Sequence, residues 1–79
     1  SLLKRIDQAE AYLSSLGFRQ LRLRHHNNLC RIEVDKSDIC RLLNKRERIV
    51  KKLKNLGYNY ITVDLEGYRT GSLNEVINK

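Results

Sequence analysis

The sequence predicts an α+β domain in which helices cover one face of a three-stranded mixed sheet. The apolar pattern changes repeatedly between helical and strand spacing, in the order helix, strand, strand, two helices, strand, short helix. A Leu-Gly-aromatic sequence also occurs twice, at residues 16–18 and 56–58, each time between a helical and a strand pattern. This order is that of a ferredoxin-like sandwich lacking its first strand, and 79 residues are enough for one domain, 1–79.

The first predicted helix carries a single apolar stripe. Apolar residues recur three or four positions apart from Leu2 to Leu16, which is the spacing of one buried helix face. Gly17 follows where a helix commonly ends in a left-handed residue, and Phe18 is placed to pack back on the last turn.

A hairpin is predicted next. Residues 19–26 and 29–34 alternate with a period of two, and Asn27-Asn28 can supply the positive φ angles of a tight turn. The inward set is Leu21, Leu23, His25, Cys30, Ile32 and Val34, and the outward set is Arg22, Arg24, His26, Arg31 and Glu33.

The second half of the chain predicts two helices, a strand and a short terminal helix. A short helix spans residues 35–43, capped by Asp35 or Ser37, and Asn44 caps a longer one through a capping box with Glu47. The longer helix and the strand 59–66 bury apolar positions, namely Ile49, Val50, Leu53, Leu56, Ile61, Val63 and Leu65. Ser72 and Glu75 have capping-box spacing, which predicts a last helix from Leu73.

The composition favours an anionic partner. Lys and Arg number 16 against 9 for Asp and Glu, a formal charge of +7. No pattern of a signal peptide or membrane span is present, so we expect a cytoplasmic protein without a membrane partner. Cys30 and Cys40 lack the spacing of a redox or zinc motif, and the adjacent His25 and His26 point to opposite sides of a strand. We therefore predict no metal site.

Two arginines on the outward face are the leading candidates for a binding site. Arg22 and Arg24 are two residues apart on a strand, so their guanidinium groups project together and suit a phosphate or carboxylate. Ion pairing with Glu33 and Asp64 would explain the same residues without a ligand.

Two further positions carry weaker signals. Glu10 lies at the border of the helical stripe, where it could hold an arginine in place or remain a solvated residue. Arg69 and Ser72 lie just before the predicted last helix, beside its free backbone N–H groups, and are predicted as a secondary anion site. A turn followed by a helix cap would explain the same residues without a ligand.

The sequence resembles a family of PP-loop enzymes, the sacrificial sulfur transferases that help build the nickel-pincer nucleotide cofactor of lactate racemase. The resemblance covers nearly the whole chain, is weakest at residues 36–54, and rests on two segments, IDQAEAYLSSLGFRQLRLRHHNNLCRIEV and LGYNYITVDLEGYRTGSLNEV. It implies that the chain is the C-terminal domain of a longer enzyme, which binds substrate and supports oligomer contacts.

The resemblance implies a specific chemistry for the parent enzyme. An N-terminal PP-loop domain would use ATP and Mg to adenylylate a carboxylate of a nicotinate-derived mononucleotide, and a cysteine would then donate its sulfur. The C-terminal domain would bind the substrate phosphate through Arg22 and Arg24, with Glu10 matching the family's QAE motif. The PP-loop and the donor cysteine segment do not occur in this chain, so we expect no activity from it alone and assign the donor role to neither Cys30 nor Cys40.

Two other functions remain open on the sequence. A tRNA-binding module would fit the charge and the Arg, His and Tyr positions, although Tyr60 is the one clear stacking aromatic on the outward face. A purely structural domain that assembles the parent into a homo-oligomer is the other.

Overall fold

A computed structural model describes residues 2–69, and they form the predicted α+β arrangement with a three-stranded mixed sheet. Ser72 and the helix predicted from Leu73 lie outside the described residues. The elements are α1 (Leu2–Ser15), β1 (Leu21–His26), β2 (Leu29–Val34), a 3₁₀ turn (Lys36–Asp38), α2 (Ile39–Asn44), α3 (Arg46–Asn55) and β3 (Tyr60–Val63).

The sheet has the order β1-β2-β3, with β1 antiparallel and β3 parallel to β2. The predicted hairpin turn is present at Asn27-Asn28, but Asn27 alone has a positive φ, 55°, whereas a positive φ was expected of both residues. The turn sets the register of β1 against β2. In that register Leu21 faces Val34 and His26 faces Leu29. The outward positions of the two strands therefore form side-by-side pairs across the sheet.

The helices pack on one face of this sheet and form the core with it. Apolar side chains from each helix and from β1 and β2 meet in one cluster, since the strand alternation sends every second side chain to the helix side. Its buried members are Ala9, Leu13, Phe18, Leu23, Cys30, Ile32, Val34, Leu42, Ile49, Leu53 and Tyr58. Within residues 2–69 no helix covers the other face of the sheet.

The two Leu-Gly-aromatic sequences have the same structure. Gly17 and Gly57 have φ angles of +99° and +113°, the left-handed conformation that ends a helix and that a side chain would strain. Phe18 and Tyr58 follow them into the core. An arginine lies over each ring. The guanidinium carbon of Arg41 is 4.3 Å from the centre of the Phe18 ring, and that of Arg5 in α1 is 5.3 Å from the centre of the Tyr58 ring.

The third strand is shorter than predicted, and the prediction that Leu65 faces the core is wrong. Leu65 is 79% exposed. The Asp64 side chain accepts the Glu66 backbone N–H at 2.9 Å, so the chain turns immediately after β3 instead of extending it. Beyond the turn, the Tyr68 N–H donates to the Val34 carbonyl at 2.7 Å and returns the chain to the end of β2.

The predicted helix caps have mixed outcomes. Asp35 caps the 3₁₀ turn as expected, because its side chain accepts hydrogen bonds from the Ser37 hydroxyl and from the Ser37 N–H, the latter at 3.0 Å. The hydroxyl bond first, and the N–H bond after it, lower the pKa of the Asp35 carboxyl. The prediction that Asn44 caps the longer helix is wrong. Asn44 is still within α2, and Lys45 takes the cap position of α3 without a side-chain hydrogen bond. Val50, predicted to be buried, lies at the exposed border of the α3 stripe.

Candidate anion-binding site

The open face of the sheet, opposite the helices, carries side chains arranged in rows across the strands. Strand register places one outward residue from each strand in a row. The aromatic row consists of His26, Leu29 and Tyr60, and the arginine row consists of Arg24, Arg31 and Thr62. Beyond the arginine row, Arg22 faces Glu33, and Asp64 follows the end of β3.

A buried carboxylate lies between two guanidinium groups at the centre of this face. Glu33, expected on the uncovered face among solvent-exposed residues, is only 1% exposed because neighbouring arginine side chains cover it. Its Oε2 lies 3.2 Å from Arg31 Nη2 and 3.6 Å from Arg24 Nε. A buried carboxylate loses its hydration, and these two cations offset part of that cost; within residues 2–69, Glu33 Oε1 accepts no hydrogen bond. The predicted ion pairing with Glu33 is therefore present for Arg24, whose side chain is 18% exposed, and a role of Arg24 in anion binding stays a prediction.

A second group of carboxylates lies where the chain turns after β3. Arg69 Nη1 lies 2.8 Å from Glu66 Oε1 and 3.9 Å from Asp64 Oδ1. Asp64 Oδ2 in turn lies 4.0 Å from Arg31 Nε. Arg69, predicted as part of a secondary anion site with Ser72, thus already interacts with carboxylates of its own turn. These contacts fasten the turn to the arginine row.

Arg22 differs from the other arginines of the open face. Its guanidinium carbon lies 5.7 Å from the centre of the Tyr68 ring, which supports it by a cation–π contact. Tyr68 is held in turn by its backbone bond to Val34. Among the residues that the structure describes, no carboxylate pairs with Arg22, which is exposed to solvent. Its donors are therefore available to an incoming anion.

The structure brings Arg22 and Arg24 to one face, as predicted, but the two are not equivalent. Arg22 presents an exposed guanidinium, whereas Arg24 is held against Glu33. A phosphate bound between the two residues would contact the exposed guanidinium of Arg22, which Tyr68 supports. It would also contact the outer edge of the Arg24 guanidinium, which Glu33 holds in place. Arg24 is already held by Glu33, so it loses little conformational entropy when an anion binds.

Glu10 lies on the other side of the sheet from the arginine pair. It belongs to α1, which packs on the helix-covered face, and its charge acts on Cys30 and Tyr58 there. The expectation that Glu10 holds the arginines in place is therefore not supported, because the sheet separates the two sets of residues. A role of Glu10 toward a substrate stays a prediction.

The helix side of the sheet has its own small polar group. His25 points to this side, as predicted, and its Nδ1 lies 3.5 Å from the Tyr58 hydroxyl. Burial raises the pKa of Tyr58, and burial together with the charge of Glu10 raises the pKa of the Cys30 thiol to about 12. Cys30 is thus a protonated core residue. Within residues 2–69 no three His, Cys, Asp or Glu side chains are grouped to hold a metal ion.

Sequence reasoning did not identify the organising role of Glu33 or the support of Arg22 by Tyr68. The hairpin register contains part of the missing information, because it places Glu33 among Arg22, Arg24 and Arg31. When strand pairing places a carboxylate among three arginines, the pairing alone predicts a buried ion pair. The Tyr68 contact has no such signal, since it depends on the turn after β3.

Comparison with known proteins finds relatives that match this chain over part of their own length. No family model matches the chain. It is 42% identical, over 71 residues and 90% of its length, to the pyridinium-3,5-bisthiocarboxylic acid mononucleotide synthase of Lactiplantibacillus plantarum. It is 40% identical over 98% of its length to an uncharacterized protein of Synechocystis sp., and 34% identical over 86% of its length to one of Methanocaldococcus jannaschii.

The match covers only part of each relative. The chain spans between 26% and 30% of their lengths. It is therefore related in sequence to one segment of the mononucleotide synthase. Among the residues that the structure describes, no helix has the length and apolar character needed to cross a membrane.

Proposed function

We propose that this chain is the C-terminal domain of a cytoplasmic, ATP-utilising sulfur transferase of the PP-loop superfamily, and that its open sheet face binds the phosphate of a pyridine mononucleotide. The relative of known activity makes a pyridinium mononucleotide and is 42% identical over 71 residues. In this proposal ATP and Mg bind to an N-terminal PP-loop domain, and the domain described here also supports contacts between copies of the parent enzyme. Alone it has no catalytic activity.

One observation supports the phosphate site above the others. Arg22 presents an exposed guanidinium that no carboxylate within residues 2–69 neutralises, beside a second guanidinium that Glu33 holds in place. A guanidinium fork donates paired hydrogen bonds to phosphate oxygens, which adds geometric specificity to the charge attraction. We assign direct binding mainly to Arg22 and assign Arg24 a shared role in binding and in neutralising Glu33.

The proposal is tested by titrating the chain with nicotinic acid mononucleotide, with binding followed by calorimetry or NMR. Replacing Arg22 with Gln should weaken binding about tenfold, since a charge-assisted hydrogen bond contributes roughly 1.5–3 kcal/mol and 1.4 kcal/mol is a tenfold change. The free energy of unfolding should fall by only about 0.5–1 kcal/mol, because Arg22 is exposed and the change removes one cation–π contact with Tyr68. Arg48→Gln, an exposed arginine of α3, is the matched control and should bind like the unmodified chain.

Arg24 should behave differently in the same experiment. Arg24→Ala removes one of the two cations that accompany buried Glu33, so it should lower both nucleotide affinity and stability, the latter by about 1–3 kcal/mol. If Arg22→Gln and Arg48→Gln bind the nucleotide equally well, the phosphate site is not at Arg22 and the proposal is wrong.

A further inference from the structure

The aromatic row lies at the end of the open face, on the far side of the arginine row from Arg22. Tyr60 is 66% exposed, and its ring projects from the open face because Ile61 and Val63 turn toward the core. Leu29 lies between Tyr60 and His26 in the strand register. The row therefore offers a flat surface with a phenol ring at one end, an imidazole at the other and an aliphatic side chain between them.

The distance between the rows suits a ligand with two recognition groups. Residues on one face of a strand are two positions apart, so the aromatic and arginine rows are separated by roughly 7 Å. In a mononucleotide the ribose separates the phosphate from the aromatic base, so the two groups must be bound at separate places. A phosphate between Arg22 and Arg24 lies on β1, so the base extends along β1 toward His26 and across β2 toward Tyr60 of β3.

The other tyrosine of the open face is not available to a base in the same way. The Tyr68 ring already faces the Arg22 guanidinium at 5.7 Å and is partly buried. Tyr60 has no such contact within residues 2–69 and remains largely exposed. An exposed ring beside fixed cations is the arrangement that stacks a base whose phosphate is bound next to it.

We propose that the aromatic row binds the base of the mononucleotide, with Tyr60 as the residue that selects a cationic pyridinium ring. This inference rests on the proposed phosphate site, and charge complementarity sets the orientation, phosphate toward the arginines and base toward Tyr60. A cationic ring is attracted to the electron-rich face of a tyrosine, so a pyridinium base gains more from Tyr60 than a neutral pyrimidine does.

Three ligands separate the two recognition groups: ribose 5-phosphate, uridine 5′-monophosphate and nicotinic acid mononucleotide. We expect the unmodified chain to bind the pyridinium nucleotide about tenfold more tightly than ribose 5-phosphate, with the uridine nucleotide between them. Tyr60→Ala should abolish this difference and leave the affinity for ribose 5-phosphate unchanged. Tyr60→Phe should retain it. Leu65→Ala, which removes an exposed apolar side chain outside both rows, is the control.

The outcomes distinguish this inference from the proposed function. If ribose 5-phosphate binds in an Arg22-dependent manner but the pyridinium nucleotide binds no more tightly, the aromatic subsite is wrong and the phosphate site stands. Equal weakening of all three ligands by Tyr60→Ala also contradicts the subsite. If none of the three binds, the phosphate site fails, and the subsite with it. Binding of a short RNA far more tightly than of any mononucleotide would replace both with a nucleic-acid surface.

Discussion

Glu33 shows how one side chain organises a charged face. Its burial leaves the carboxylate dependent on Arg24 and Arg31, and both arginines are thereby held close to the sheet. Arg22, opposite Glu33 in the register, stays exposed and stacks on Tyr68 instead. Arg22 and Arg24, two residues apart on β1, therefore have different roles. Arg24 neutralises a buried charge, and Arg22 presents donors to solvent.

Cys30 illustrates the opposite case, a reactive residue type made inert by its surroundings. Burial is the main cause that raises its pKa to about 12, and the nearby charge of Glu10 adds to it. The thiolate is the reactive form of cysteine, so a thiol with this pKa is a poor nucleophile at neutral pH. Cys40, in contrast, is exposed on α2.

A thiol-reactive reagent should therefore modify Cys40 rapidly in the native chain and Cys30 only after unfolding in denaturant. The measurement is the mass of the labelled chain against time, with Cys40→Ser as the control that isolates the reaction of Cys30. Similar native rates for the two thiols would contradict the buried position of Cys30.

The same pKa shift also predicts a pH dependence of stability. The pKa rises from 9.0 toward about 12 on folding, so the folded state favours the protonated thiol. The stability difference between the unmodified chain and Cys30→Ala should stay constant below pH 9.0 and shrink as the pH rises from 9.0 toward about 12. Urea unfolding at several pH values measures this difference, and a difference independent of pH across that range would contradict it.

Among the elements, α3 places apolar and cationic residues on separate sides. Ile49 and Leu53 are buried, whereas Lys51 and Lys54 are exposed. The apolar stripe is narrower than the spacing alone predicts, because Val50 lies at its border. The helix therefore attaches to the sheet through few side chains.

Truncation of α3 residues tests this narrow attachment. Leu53→Ala should lower the free energy of unfolding by about 2–5 kcal/mol, since Leu53 is fully buried. Val50→Ala removes a side chain of similar character from the same helix, but should cost about 1 kcal/mol or less, because Val50 is exposed and alanine favours the helix. Urea unfolding compares the two, and equal losses would contradict the observed helix orientation.

The whole chain has a formal charge of +7, and within residues 2–69 cationic side chains lie on both sides of the fold. On the open face Arg24, Arg31 and Arg69 form ion pairs with carboxylates. The exposed side of α3 carries the cations Arg48, Lys51 and Lys54, with Glu47 as the one acid of that helix. A long polyanion could use the α3 cations without specific recognition, whereas a mononucleotide requires the organised open face.

Salt dependence separates these two kinds of binding. Raising the salt from about 50 to 200 mM should remove most of the affinity for single-stranded RNA, because each phosphate contact releases condensed counterions. The affinity for the mononucleotide should fall only a few fold, because a small ligand carries no condensed ion atmosphere. Fluorescence anisotropy with RNA and calorimetry with the nucleotide give the two slopes. Sequence-selective RNA binding that persists at the higher salt would favour the tRNA-binding alternative instead.

The sequence by itself determined the order of the elements, the hairpin turn, the two glycine helix ends and the face on which Arg22 and Arg24 lie. These features depend on the spacing of apolar and polar residues and on backbone preference. Both are properties of residues that are close together in the sequence. Only the tertiary structure decided that Glu33 is buried, that Arg22 stacks on Tyr68 and that Glu10 lies across the sheet from the arginines. Those contacts join residues distant in the chain. The position of a turn or of a covering side chain depends on how the packed elements meet, so local spacing does not predict them.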